Sequence, residues 1–383
     1  AGLIAAGLIA LSAQHIMYSQ QVRSYILAHA AATAAVLFAL RFLESGRERE
    51  DRIGRVSALT GYAVACTIAL YTHTTMALLP AMLSLFVLGR LLLTPGRSWT
   101  AAGEWIAANV LVLILWAWWA RITVLQAGSR STISWIATPS LPYAVRMTME
   151  SYLPWGIGPA QFVVAGLATV AMAWAIWRFR DRPDRLLLPF LAVAAPVLLY
   201  LLSVKVPVFL NRTIYWASGP FLVTVAVGLA AVRPRWATLG ALGIAFAASV
   251  AGWVSWYPTR EIEPWRAIVA AIQQQQPGTT VLARGKGPVL ALRRYCTPPA
   301  CTLRVLGIPA PATDHWASGF EVPGIESGNL PGRLLARDRR LVTVRWLLQD
   351  PIAAGSLPTA ISRPVTLPPV HDGVITVTSW QAR

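Results

Sequence analysis

The sequence predicts an all-α polytopic membrane domain of about nine transmembrane helices over residues 1–257, followed by a small α/β domain over residues 258–383 outside the cytoplasm. Three observations carry that expectation. Only 13% of the 383 residues are charged while 56% are hydrophobic, and the mean hydropathy is +0.53, far from the usual quarter charged of a soluble domain. Apolar runs close to the roughly 20 residues that a bilayer core requires recur up to Tyr257 and then stop. The cations fall unequally on alternate loops.

Read against membrane thickness, the spans are Ala1–Met17, Val22–Leu43, Ile53–Leu70, Thr74–Leu93, Trp99–Ala120, Ile157–Trp177, Leu186–Leu202, Leu210–Val232 and Trp236–Tyr257. If the first runs outward, one set of loops collects Arg41, Arg47, Arg49, Arg52, Arg55, Arg90, Arg97, Arg178, Arg180, Arg182, Arg185, Arg233 and Arg235. The other set holds only Arg23, Arg121, Arg130, Arg146, Lys205 and Arg212. Thirteen against six places the first set in the cytoplasm. The net charge of +17 is therefore topological, and nucleic acid is not the expected partner. The chain opens on Ala1-Gly2-Leu3 inside an apolar run, with no initiator Met and no basic flank, and is expected to continue upstream.

Beyond Tyr257 the pattern changes. Strand-like runs at Thr279–Ala283, Thr302–Leu306, Leu341–Leu348 and Val374–Trp380 alternate with helical patterns at Trp265–Gln275 and Val289–Tyr295, which predicts an α/β fold. Gly285-Lys286-Gly287 lacks the rest of a phosphate-loop pattern and reads as an ordinary loop. Cys296 and Cys301, five apart, suit a disulfide in an oxidising compartment better than zinc, since His315 and His371 lie at no ligand-like interval. Cys66 is a small apolar residue within a span.

The topology brings four polar segments to the outer face: Tyr18–Tyr25, Tyr71–Thr75, the loop 121–155 and Lys205–Arg212. Each has a plain alternative. Interfacial tyrosines form belts, Arg23 can snorkel and His73 can simply cap a helix end. Cations on the cation-poor side, Arg23 and Arg212, are the more telling residues. Glu150, four residues after Arg146 on the stripe Leu141, Val145, Met149 and Tyr152, reads as half of a local pair on an interfacial helix.

Tyr18-Ser19-Gln20-Gln21-Val22-Arg23-Ser24-Tyr25 resembles the YSQEAR.Y segment of bacterial membrane glycosyltransferases of the GT-C type, similar to protein O-mannosyltransferases (glycosyltransferase family 39-like), with Gln21 in the place of Glu. ALYTHTTMALLP resembles their ALYTHY..LL segment. PVFLNRTIYWASGPFLVTVAVGL resembles P.F..RYLL...P.LLLA.GL with two residues inserted between Arg212 and Tyr215, and EPWRAIVAAIQQQQPGTTVL resembles the start of their outer domain. These matches keep their order along almost the whole chain. The resemblance implies transfer of a sugar from a polyprenyl-phosphate donor to an acceptor at the outer face of a bacterial inner membrane. It also implies further helices and an outer loop with a catalytic Asp upstream of Ala1.

Such a reaction needs cations or dipoles on the leaving phosphate and a base for the acceptor hydroxyl. Arg23, Arg212 and Lys205, with Tyr18, Gln20 and His73, are the expected donor-phosphate site; no convincing base lies in the chain, and no metal ligands are evident, although a divalent metal cofactor stays open. The partners are a polyprenyl-phosphate-linked sugar, the bilayer and an acceptor glycan, lipid or protein. Alternatives are a transporter or flippase of lipid-linked saccharides, an O-antigen polymerase or ligase, and a degenerate relative without activity.

Overall fold

In the computed structural model, residues 1–20, 24–45, 52–94, 99–128, 136, 138–154, 157–256, 265–284, 286–308, 330–346, 360–364 and 375–382 are described. The chain divides into two compact units, Ala1–Trp256 and Tyr257–Arg383.

The regular structure described in the first unit is helical: α1 (Gly2–Leu11), α2 (Ala13–Gln20), α3 (Tyr25–Glu44), α4 (Arg52–Thr72), α5 (Leu78–Leu93), α6 (Trp99–Gly128), α7 (Leu141–Tyr152), α8 (Ala160–Arg178), α9 (Leu187–Ser203), α10 (Asn211–Ile214), α11 (Ser218–Ala230) and α12 (Arg235–Trp256). Eight described helical segments are long and apolar enough to cross a membrane, or nine if α1 and α2 form one span. This is a multi-pass membrane protein. The segment built on α10 and α11 is 83% buried, whereas those of α6 and α12 are 11% buried, so α11 is the centre of the bundle and α6 and α12 are its lipid-facing flanks.

Small residues let the central helices approach closely. Ala28, Ala32, Ala35 and Ala39 of α3 meet Ala58, Ala65 and Ala69 of α4 in one core, where packing rather than water exclusion holds helices together in lipid. Gly228 on α11 is the tightest point, since a Cβ there would fall on the Ala171 carbonyl of α8. A closed polar knot joins α4, α5 and α6. The Tyr62 and Ser84 hydroxyls donate to Asn109 Oδ1 at 2.8 and 3.2 Å, Trp105 Nε1 donates to Ser84 at 3.2 Å, and Asn109 Nδ2 donates to the Trp105 carbonyl at 2.9 Å.

Ion pairs mark one end of the bundle: Arg55–Glu104 at 3.4 Å, Arg90–Asp184 at 3.1 Å and Arg185–Glu44 at 3.4 Å. Tyr25, His73 and Arg212 lie at the other. The alternation expected from the sequence therefore holds among the described helices.

Two of the expected spans are interrupted rather than straight. Ala1–Met17 is not one straight helix: Ser12 is extended (ψ 120°), and α1 and α2 meet at 64°. Beyond the turn, α2 buries Gln14, His15 and Tyr18. Leu210–Val232 is likewise broken into α10, a 3-10 turn at Tyr215–Ala217 and α11. Pro220 near the start of α11 has no N–H for the carbonyl of Trp216, and its ring crowds that carbonyl.

The second unit contains α13 (Trp265–Gln275), β1 (Thr280–Arg284), α14 (Lys286–Tyr295), β2 (Arg304–Ile308), α15 (Leu330–Asp338), β3 (Arg340–Trp346), β4 (Ala360–Pro364) and β5 (Ile375–Ala382). The strand order is β2-β1-β3-β5-β4, with β1 parallel to β2 and β3, and β5 antiparallel to β3 and β4. Val281 and Ala283 pack towards α13 and α14 while Leu282 packs towards α15, as strand alternation requires of a sheet covered on both faces. The predicted elements are present with shifted ends. α14 begins at Lys286, so the expected loop there is partly helix, and β4 and α15 were not foreseen. Cys296 and Cys301 form a disulfide with Cα atoms 5.0 Å apart, and Cys66 is a buried free thiol.

Two outcomes follow. Gly228→Leu should lower stability by about 2 kcal/mol or more, the scale of overpacking against backbone that cannot yield, seen as a fall in melting temperature. A maleimide should label one of the three cysteines in denaturant without reductant, and all three after reduction.

Candidate functional site

The end of the bundle opposite the ion pairs is assembled from four separate parts of the chain. The Ser24 hydroxyl donates to the Thr72 carbonyl at 2.7 Å and ties the start of α3 to the end of α4. That link sets Tyr25 against His73, with ring centroids 5.5 Å apart. Tyr25 packs on Tyr18 at 5.1 Å and Tyr18 on Tyr215 at 4.7 Å. Tyr215 then meets His15 at 4.6 Å and His29 at 4.9 Å, and the two imidazoles lie 4.5 Å apart. The result is a column of polar aromatic rings running inward from His73.

Ser218 closes the inner end. Its hydroxyl donates to the Tyr215 carbonyl at 2.6 Å, so its lone pair faces His15 Nε2 at 3.0 Å and that nitrogen donates. Gly219 leaves room beside it: a Cβ there would stand 3.0 Å from His29 Cε1 and 3.3 Å from Thr33 Oγ1, so those side chains would have to shift. Several buried polar atoms around the column have no hydrogen-bond partner, namely His15 Nδ1, His29 Nδ1, Tyr215 Oη, Gln14 Nε2 and Asn211 Oδ1. Buried groups of this kind are uncommon in a structural core.

Arg212 is held by a tight loop. The Val208 N–H donates to Ser203 Oγ at 3.3 Å, and Thr213 Oγ1 accepts the Leu210 N–H at 2.9 Å while donating back to the Leu210 carbonyl at 2.7 Å. Arg212 reaches His73 electrostatically: burial first, then the guanidinium, pulls the imidazole from 6.5 to about 4. Next to this loop runs an apolar groove of about 420 Å³ between α7 and α9, lined by Val145, Met149, Val193, Val197, Tyr200 and Phe209.

Of the residues expected from sequence, Tyr18, His73 and Arg212 come together. Gln20 is exposed at the end of α2, and Lys205 is exposed at the end of α9 and joins none of these ring or electrostatic contacts, because its loop turns back before Arg212. Arg23 and Gln21 lie outside the described residues. Glu150 pairs with Arg146 at 2.8 Å, as its spacing suggested, and is the only acid at this end among the described residues of the first unit. Among the described residues no group of three His, Cys, Asp or Glu side chains gathers to hold a metal. Sequence reasoning passed over His29 and Ser218. The available signal was two histidines inside apolar spans, which are costly in lipid unless they serve a purpose.

At the ion-paired end a second, polar cleft of about 930 Å³ is lined by Arg55, Arg90, Arg182, Arg185 and Glu44 among others.

Ser218→Ala should leave the His15 Nε2 donor buried and unsatisfied, costing about 1–3 kcal/mol in stability, whereas Ser218→Thr should cost less if the hydroxyl is what matters. Thermal unfolding in detergent compares the two. Equal losses would assign Ser218 to packing alone.

No protein-family model, curated protein or solved structure matches this chain.

Proposed function

We propose that this protein is a membrane glycosyltransferase that moves a sugar from a polyprenyl-phosphate donor to an acceptor at the outer face of a bacterial inner membrane, with the second unit on that same side. The observation that carries the reading is the juxtaposition of a cation with a polar aromatic column, Arg212 and His73 through to Tyr215, beside an apolar groove open to lipid. An amphiphile with a phosphate head and an isoprenoid tail has that same division of chemistry. The family resemblance of the sequence segments adds to it, and Tyr18, Tyr25, His73, Arg212 and Tyr215 all belong to those segments.

In the reaction, the acceptor oxygen forms a bond to the anomeric carbon while the bond from that carbon to the phosphate oxygen breaks. The polyprenyl phosphate leaves with the electron pair, and the acceptor proton passes to a base. Arg212, with Arg23, stabilises the departing phosphate. Glu150, the acid of the described first unit at this end, is already engaged by Arg146.

A transporter of lipid-linked saccharides is the second reading. It draws support from the broken pair α1 and α2 and from the polar cleft at the ion-paired end, where an inner-leaflet headgroup would enter.

Arg212→Ala and Arg23→Ala should each lower sugar transfer about 100-fold and weaken donor binding, the scale of losing one oxyanion-type donor. Arg→Lys should restore only part, since an ammonium cannot grip two oxygens as a planar fork does. Unchanged transfer in both Ala variants would remove these residues from the site. A silent parent woken by Gln21→Glu would mark a degenerate relative, and flux of intact lipid-linked sugar without transfer would favour the transporter.

A further inference from the structure

His73 is held in an unusually determined way. Its own N–H bonds the Ala69 carbonyl at 3.1 Å, and its carbonyl accepts the Met76 N–H at 3.0 Å, so the residue is fixed on both sides by backbone. Its ring nitrogen Nδ1 meets two groups of one residue: the Thr75 backbone N–H at 3.3 Å and Thr75 Oγ1 at 2.7 Å. A backbone N–H can only donate. Nδ1 is therefore the acceptor, the Thr75 hydroxyl donates to it as well, and the proton of the neutral ring sits on Nε2.

We propose that Thr75 is a positioning residue that locks His73 as a neutral Nε2–H donor, which acts with Arg212 on a phosphate oxygen of the lipid-linked donor. The phosphate part rests on the transferase reading; the lock does not. Among the described residues the charged or titratable groups set against the ring are Arg212 from α10 and Tyr25 from α3, and neither is an acid that would stabilise an imidazolium. Protonation would also need the Nδ1 lone pair that Thr75 occupies. Hence His73 is no base. A cation supplies charge to the phosphate, and a neutral ring beside it supplies a directional hydrogen bond without a second positive charge to repel the first.

The pH dependence has a definite sign. Burial and Arg212 hold folded His73 at about 4, below the ordinary 6.5, so between those values the unfolded chain takes a proton that the folded chain refuses. The stability involved is complete above 6.5 and is lost as pH falls towards 4.

The test uses the full chain in lipid nanodiscs with nitrogen-15 histidine, His73→Gln identifying the His73 signals among the five histidines. The parent should show the Nε2–H tautomer from about pH 8 to about pH 5. Thr75→Ser should preserve it, and Thr75→Val should raise the titration midpoint by about one unit. A short-chain polyprenyl phosphate should shift the Nε2 signal where the uncharged polyprenol does not, and Thr75→Val should weaken that phosphate about tenfold. An Nδ1–H tautomer or an ordinary titration in the parent overturns the proposal. So does a Thr75→Val spectrum identical to the parent, or a phosphate that leaves Nε2 unmoved. A parent that meets every expectation yet transfers no sugar would sink the transferase reading and leave this assignment standing.

Discussion

Hydrocarbon offers the backbone no hydrogen bonds, and that single constraint organises the membrane unit. Every departure from helix must find its partners within the protein. The described departures at Ser12, at His73 and along residues 204–210 do so through short-range substitutes: the Ser12 N–H on the Ile9 carbonyl, the Thr75 N–H on the His73 ring, and Val208 and Leu210 on the hydroxyls of Ser203 and Thr213. The last two of these departures lie at the end of the bundle that holds Arg212, and the first redirects α2 into the aromatic column. Irregular backbone and polar side chains thus share the places where the protein can do chemistry.

Two buried polar assemblies show how differently that freedom is used. The knot of Tyr62, Ser84, Trp105 and Asn109 is closed, since each of its hydroxyl, indole and amide groups makes a hydrogen bond inside it. Such a network fixes how α4, α5 and α6 are rotated against each other. The column from His73 to His15 is open, because ring contacts hold it and several of its polar atoms lack partners. A structure built only for stability would be expected to close both.

The spans and their alternation were legible because twenty apolar residues and a bias of arginines are local, compositional signals. Tyr18, His73 and Arg212 could be placed at one end from that alternation alone. Contacts were not legible. His15 meets Ser218 across 203 positions, and His29 sits among alanines whose only visible message is helix; its neighbour Gly219 gives it room. The break at Ser12 depends on those distant partners and so has no local mark. Lys205 looked equivalent to Arg212 by charge and side, yet the intervening turn at Ser203 and Val208 separates them. In the second unit, β4 is an edge strand among the described residues and ends at Pro364, and α15 opens with Pro331 and Gly332, which locally signal a turn.

The helix α6, Trp99–Gly128, is 30 residues long, or about 45 Å against a hydrocarbon core of about 30 Å. Its apolar surface stays exposed far along, with Trp118 and Val124 each 70% accessible. Either it leans or the surrounding lipid thickens to meet it, and a lean would be passed through the Tyr62–Asn109 knot to α4, whose last residues carry His73. Where α6 leans, the thickness of the host membrane would bear on the posture of the helix that leads to His73.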